Sequence, residues 1–579
     1  MSETQPHLNR NITRLFWILL IMPGLHSFPS AAQAPAPATP KPPAPPADGA
    51  VPPLSGAGPA NRSSVAQPQA APSTQPAFDI LEYQVEGNSV LPAAAIEKAV
   101  TPFLGENRGA SDVEAARSAL EKVYQDAGFL SVFVQTPEQK IVDGTVILQV
   151  VEGTVERLRV TGARYTAPSL LREQVPALAP GEVPYFPEMQ QQLAQLGRGD
   201  DRKVVPVLRA GTTPGSVEAE LKVEDQLPLH GSLELNNRYS FDTAHLRLAA
   251  SLRYDNLWQR GHSLAVSYQT TPEKPDQIKV YSGTYAVPLG SAGTLALYAV
   301  HSGSQLVTVG STGVIGQGDI AGLRYIRPLP PLPGYNQSLV AGIDYKNFSD
   351  TTTPLGADSG IVSPIRYAPF TLGYNAKLAG SDGSATQFSL TANWHMRHFG
   401  DIDVDCAGVR TNAFGCKRFN ADANYFYARG ELSRLQALPR QWSLYAKLSG
   451  QYANQPLISN EQFGIGGVDT VRGYTEFERL GDRGLVANLE LRTPNLAGAA
   501  GGVLREVNLL AFADYGDAQV IQALPSQQYS FHLGAVGFGL RAKGWKTLSA
   551  SLDLAWPQLD GARNNSRDPR LHFRLAYEF

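Results

Sequence analysis

The sequence predicts a transmembrane β-barrel of about sixteen antiparallel strands, preceded by two small α+β domains. Three observations predict it. Apolar and polar residues alternate in segment after segment of the C-terminal part, from 228 to 579. Ahead of that region a β-α-α-β-β order occurs twice. The N-terminus reads as a signal for export.

Arg10 and Arg14 precede an apolar run from Leu15 to Leu25. Ala32-Gln33-Ala34 then fits a small-residue cleavage site, so residues 1–34 read as a signal peptide. The run is about eleven residues, too short to cross a bilayer as a helix. Residues 35–77 are rich in Pro, Ala, Ser and Gln and cannot bury a core. They read as an extended linker, with no amphipathic helix among them.

The first module is expected over 78–152. "FDILEYQVEGNSVL" reads as strand and turn, "PAAAIEKAV" and "SDVEAARSALEKVYQDAG" as helices, and "LSVFVQTP" and "TVILQVVEG" as strands. Val113, Ala116, Leu120 and Val123 give the second helix an apolar face. Ser111 and Glu114 read as its capping box. The second module, 153–227, repeats the order with "TVERLRVTGA", "PSLLREQV", "FPEMQQQLAQLG", "RKVVPVLRAG" and "SVEAELKVED".

Beyond it the period is two. Leu246, Leu248, Ala250, Leu252 and Tyr254 alternate with Arg247, Ala249, Ser251, Arg253 and Asp255. The same holds for Phe388 to Met396, Leu548 to Trp556, and the terminal strand Leu571, Phe573, Leu575, Tyr577 and Phe579. A soluble sandwich also alternates, but its strands average about five or six residues. Longer strands and a terminal Phe favour a barrel with an apolar outer face and a polar lumen. Strands in lipid must close into a ring, because the bilayer core offers no partner for a free backbone edge. About sixteen strands leave roughly twenty-two residues for each strand with its connection, and an even count puts both ends in the periplasm.

Composition excludes other classes. Net charge is −3, too little positive charge for binding a phosphate backbone, so nucleic acid is not an expected partner. No G-x-x-x-x-G-K-[ST], G-x-S-x-G or H-E-x-x-H occurs, so no nucleotide site or catalytic motif is expected. The scattered histidines suggest no metal cluster, and no cofactor is implied. The chain has two cysteines, Cys406 and Cys416, and a close pair in an exported protein is expected to form a disulfide.

The alternation breaks at "GGVDTVRGYTEFERLGDRG", residues 466–484, which is glycine-rich and carries both signs of charge. Downstream, "EVNLLAFADYG" alternates again. Val507, Leu509, Ala511, Ala513 and Tyr515 form the lipid face, so Asn508, Leu510, Phe512 and Asp514 face the lumen. A charge such as Asp514 is tolerated there, whereas the lipid face would penalise it by several kcal/mol.

These features together resemble the TpsB transporters of two-partner secretion, the ShlB, FhaC and HecB type, over residues 78–579. The resemblance implies two POTRA domains (polypeptide-transport-associated) and a sixteen-stranded outer-membrane barrel. Its V-R-G-[YF] tetrad, on an inward-folded loop at 464–484, corresponds to Val471, Arg472, Gly473 and Tyr474, and the loop's G-D-R-G end to Gly481, Asp482, Arg483 and Gly484. Its F-x-D-x-G motif on the wall corresponds to Phe512, Asp514 and Gly516, and implies an Arg472–Asp514 pair. Phe579 corresponds to the C-terminal barrel signal. The implied activity is export of an unfolded TpsA-type exoprotein (a haemolysin, adhesin or contact-dependent toxin) captured by the POTRA domains, with no enzymatic step. Lipid and lipopolysaccharide would surround a monomer, and the barrel assembly machinery would insert it. An outer-membrane assembly factor of the same superfamily is the alternative, although such factors usually carry three or more POTRA modules. Some relatives plug the pore with an N-terminal helix, and residues 35–77 show no such helix.

Overall fold

The computed structural model describes residues 78–579, apart from 198–200, 242, 305, 310–311, 331, 353–360, 398–402, 407, 500–502, 546 and 563–564. The expected signal peptide and linker, 1–77, lie outside the described residues.

The first module builds a three-stranded sheet. Glu82–Glu86 runs parallel to Thr145–Glu152, and Val132–Gln135 pairs antiparallel on the other side. Helices Ala93–Val100 and Ala110–Asp126 pack on it, burying Ile96, Val113, Ala116, Leu120 and Tyr124 against Val146 and Leu148. Burying each large aliphatic side chain contributes roughly 1.5–3 kcal/mol. The second module repeats this. Thr154–Thr161 runs parallel to Ser216–Asp225, Arg202–Ala210 pairs antiparallel, and helices Pro168–Glu173 and Phe186–Leu196 cover a separate core around Leu171 and Leu221.

Two details depart from expectation. The long helix starts at Ala110, with extended Gly109 as its cap. The carboxylate that reaches back is Asp112, which accepts the Gly109 N–H at 2.9 Å. Glu114 instead pairs with Arg117 at 2.6 Å. The box is shifted by two residues because glycine takes the cap and a shorter Asp suffices. Gly105–Arg108 also forms a short strand outside the expected ones, and it pairs with Phe78–Ile80.

The C-terminal region is a closed antiparallel barrel. Ile361–Tyr367 and Phe370–Ala379 hold one register against Tyr335–Thr352, with Lys346 facing Tyr367 and Ile343 facing Phe370. They are therefore one strand, interrupted at Ala368-Pro369 because proline lacks the N–H a ladder needs. The Asp344 N–H still donates to the Pro369 carbonyl at 3.0 Å across the break. With that strand counted once, the ring has sixteen. Exposed large apolar side chains recur on its outer face, among them Leu264, Val266, Leu552, Leu554, Leu571 and Leu575. That belt suits hydrocarbon. No helix among the described residues is long and apolar enough to cross a membrane.

The ring closes where Arg570–Glu578 meets Leu229–Asn236, from Arg574 opposite Asn236 to Glu578 opposite Ser232. Phe579 extends the register by exchanging both backbone hydrogen bonds with Gly231, at 2.9 and 3.0 Å. Its ring lies on Gly231, where an added Cβ would stand 2.3 Å from ring carbon. An aromatic shielding a strand glycine is a known way to hold an edge. Gly231→Val should lower the folded, heat-modifiable fraction of the barrel on gels, through overpacking of about 1–3 kcal/mol. Adding Phe579→Ala should relieve that clash. Wild-type stability in Gly231→Val would contradict this seam.

Candidate functional site

The site is built from one loop and the wall it leans on. The loop connects strands Ser443–Ala453 and Arg483–Arg492. A short stem, Phe463–Ile465 paired with Arg479–Gly481, carries the excursion 466–478. Gly466 (φ +101°) and Gly473 (φ +91°) adopt backbone conformations that other residues resist. At Gly466 a Cβ would also stand 2.4 Å from the Glu478 side chain. These glycines let the chain turn inward and present Arg472.

Arg472 is nearly fully buried and is the hub of the site. Its Nε and Nη2 donate to the two carboxylate oxygens of Asp514, at 2.7 and 2.8 Å, and its own N–H donates to the same group at 3.1 Å. Nη1 donates to Glu490 at 2.8 Å, and Asp553 lies 3.7 Å away. The Phe512 ring faces the guanidinium, with its centre 3.5 Å from the central carbon. Asn488 donates to Asp514 at 2.8 Å and to the Thr470 carbonyl at 2.6 Å. Arg492 pairs with Glu490, and Arg541 with Asp553. Three guanidinium groups thus face three carboxylates. A buried ion is tolerated when it is both paired and hydrogen-bonded, and the planar fork fixes the direction of approach.

Each residue of the wall motif meets the loop. Phe512 and Asp514 hold Arg472, and Gly516 leaves room for Val471, whose methyl would stand 2.8 Å from a Cβ there. Tyr474 is buried, and its hydroxyl donates to the Leu559 carbonyl at 2.6 Å while the Gly534 N–H reaches it at 3.3 Å. The Gly473 N–H donates to His572 Nε2 at 2.8 Å. The loop therefore leans on strands Leu504–Gln519, Ser530–Gly544, Leu548–Pro557 and Arg570–Glu578.

Gly481, Asp482, Arg483 and Gly484 lie elsewhere. They are not on the inward excursion. Gly481 ends the stem, while Arg483 and Gly484 open the wall strand, with Gly484 opposite Gln451 and Ala518. Arg483 donates to the Ala453 carbonyl at 2.9 Å, and its guanidinium stacks on Tyr452. Asp482 is fully buried against Arg418. Cys406 and Cys416 are joined in a disulfide, Cα–Cα 5.8 Å.

Sequence reasoning missed several partners. Glu490, Asp553 and His572 join the Arg472 cluster. Glu461 is buried with Lys346 at 2.6 Å, Tyr367 at 2.5 Å and Tyr427 at 2.7 Å. Arg238 bonds Glu476 at 3.2 Å and also Asp469. The usable signal was charge on lumen-facing positions of the alternating strands, which Glu490 and Asp553 satisfy. The histidines also hold a surprise. His230 Nε2 lies 2.8 Å from Asp201 and 3.5 Å from Asp255, so three donors that no sequence spacing suggested converge where the second module meets the barrel.

An outer-membrane barrel with a buried arginine loop, fronted by two β-α-α-β-β modules, is the architecture of a POTRA-containing outer-membrane transporter. Residues 78–153 match the ShlB-type POTRA domain, and 361–542 match the haemolysin secretion/activation protein ShlB/FhaC/HecB. The chain is 23% identical over 494 residues to the outer membrane transporter CdiB of Dickeya dadantii, covering 83% of each. It is 21% identical to the heme/hemopexin transporter protein HuxB of Haemophilus influenzae, over 67% of each. The fold is similar to the solved CdiB from Escherichia coli, with TM-score 0.60 and 18% identity over 89% of this chain and 93% of that one. These matches and relatives are of the ShlB/FhaC/HecB type, the TpsB transporters, and place the barrel in the bacterial outer membrane with its POTRA modules in the periplasm.

Two outcomes test the site. Gly516→Val should push Val471 away and make the 466–478 excursion protease-sensitive in barrels that remain folded. Protection equal to wild type would contradict the packing. In mature protein, thiol reagents should label neither Cys406 nor Cys416 before reduction, and quantitative labelling of both would refute the bond.

Proposed function

We propose that the barrel exports one unfolded exoprotein of TpsA type, a haemolysin, adhesin or contact-dependent toxin, after the POTRA modules capture it in the periplasm. The observation that carries this reading is the loop held inside the barrel by Arg472. The loop packs against the lumen wall at Asp514, Glu490 and His572. A cavity of about 740 Å³ lies between the loop and the wall, lined by Ser282, Thr284, Thr371, Thr391 and Asn393 together with charged and aromatic groups such as Arg324, Asp344 and Tyr427. Its hydroxyl and amide groups can hydrogen-bond a passing backbone.

Capture favours the first module. Its sheet has two edges, Glu82–Glu86 and Val132–Gln135, with Leu81, Leu130 and Phe133 exposed beside them. An extended chain can add a strand to such an edge. The second module's edge Arg202–Ala210 contains Pro206, which removes a donor. Folding of the partner outside supplies the direction of transport. The transporter works as a monomer in lipid and lipopolysaccharide, delivered by the barrel assembly machinery.

Arg472→Ala, at normal membrane level, should reduce export of a co-expressed exoprotein by at least about tenfold, since breaking a buried ion pair removes about 3–5 kcal/mol from the loop's seat. Arg472→Lys should recover only part, because an ammonium cannot supply the fork. Wild-type export by Arg472→Ala would sink the proposed role. Intact export with defective assembly of other barrels would favour the assembly-factor reading.

A further inference from the structure

The inward loop has a second anchor, at the outer mouth of the barrel. Asp482 lies where the loop's return arm joins the wall. Its two carboxylate oxygens each accept from the Arg418 fork at 2.7 Å. They also accept the N–H groups of Leu457 at 2.9 Å and Ile521 at 2.7 Å, and the Gln462 side chain at 3.1 Å. Arg418 in turn donates to the carbonyls of Leu457 at 2.8 Å and Ile521 at 3.1 Å. One ion pair therefore ties three outer connections, those between the strands that end at Trp394, Ala453 and Gln519 and the strands that follow them.

Two features place Arg418. It directly follows the helix Ala413–Lys417, whose Cys416 is bonded to Cys406 in the hairpin Asp403–Cys406 with Val409–Asn412. Phe414 of the same helix is buried among Tyr367, His395 and Tyr425. The disulfide ties this helix covalently to the hairpin. Ala413 and Ala421, on either side of Arg418, share that core, so breaking the bond leaves Arg418 these contacts and removes its covalent tie.

We infer that the disulfide-closed segment is a redox-sensitive outer latch on the inward loop. Arg418 is a positioning residue that acts through Asp482, and the Cys406–Cys416 bond keeps it in reach. In an oxidising compartment the latch stays shut. Dithiothreitol opens it by thiol–disulfide exchange: the protein S–S bond breaks to two thiols, and the reagent is oxidised to its cyclic disulfide. The inference rests on the secretion reading in one respect, that the loop must leave its seat for a chain to pass. Its test reads the empty pore, so it fails or succeeds apart from any secretion assay.

The experiment is conductance of the full-length protein in planar lipid bilayers. Dithiothreitol should raise the open probability of wild type roughly tenfold, the ratio that about 1.4 kcal/mol of lost anchoring produces. Arg418→Ala should do so without reductant, and Arg418→Lys should fall between. Cys406→Ser should be as open as reduced wild type and insensitive to dithiothreitol. Unchanged wild-type conductance on reduction would overturn the latch, as would an equal response in Cys406→Ser. A folded Arg418→Ala barrel that gates like wild type would also overturn it. If Arg418→Ala does not fold, the reductant arm on wild type decides.

Discussion

The buried pair of Arg472 and Asp514 is the interaction on which the inner architecture depends. It joins a loop to a wall strand forty-two residues away in sequence, and almost no solvent reaches either side chain. In such a place the geometry must be nearly complete, because an uncompensated charge would cost more than the pairing gains. The surroundings meet that demand. Phe512 covers the guanidinium face, Glu490 takes the third nitrogen, and Asn488 takes the remaining capacity of Asp514. An arginine is held here where a lysine would leave the fork unfilled.

The barrel explains why these groups meet at all. Hydrogen-bonded closure fixes the register of every strand, and a period of two sends alternate side chains into the lumen. Asn488 stands opposite Asp514, and Glu490 opposite Phe512, in one ladder. Asp553 stands opposite Gly539 on the next pair, with no side chain between it and the cluster. The loop brings a single cation into a wall already lined with acids. The wall's other arginines then balance the charge, and a small apolar cluster of Val471 and Tyr474 with Val486, Leu533 and Ala535 completes the seat.

Much of this was legible in the sequence, for physical reasons. Alternation reports which face meets lipid, so the barrel and the inward aim of Asp514 followed from period alone. The repeated β-α-α-β-β order marked the two modules. The sixteen-strand count survived because the break at Ala368-Pro369 keeps its register. What stayed hidden was long-range. Glu461, Arg418 and His572 sit in no motif, and only barrel closure and loop folding bring them to their partners. The Gly481–Gly484 stretch was read as loop because glycine and charge dominate it. The structure uses Asp482 as a pin at the wall, since a buried carboxylate there receives both an arginine and two backbone N–H groups. The capping box moved by two residues because glycine competes well for a cap position.

The most direct test of the central claim is a double-mutant cycle on the unfolding of the purified barrel, using Arg472→Met, Asp514→Leu and the pair together. Residues that share a buried ion pair should be coupled by roughly 0.5–3 kcal/mol, with the double variant more stable than the sum of the single losses. Additivity within about 0.5 kcal/mol would contradict the account, because it would mean that the loop is held in the lumen by something other than this pair.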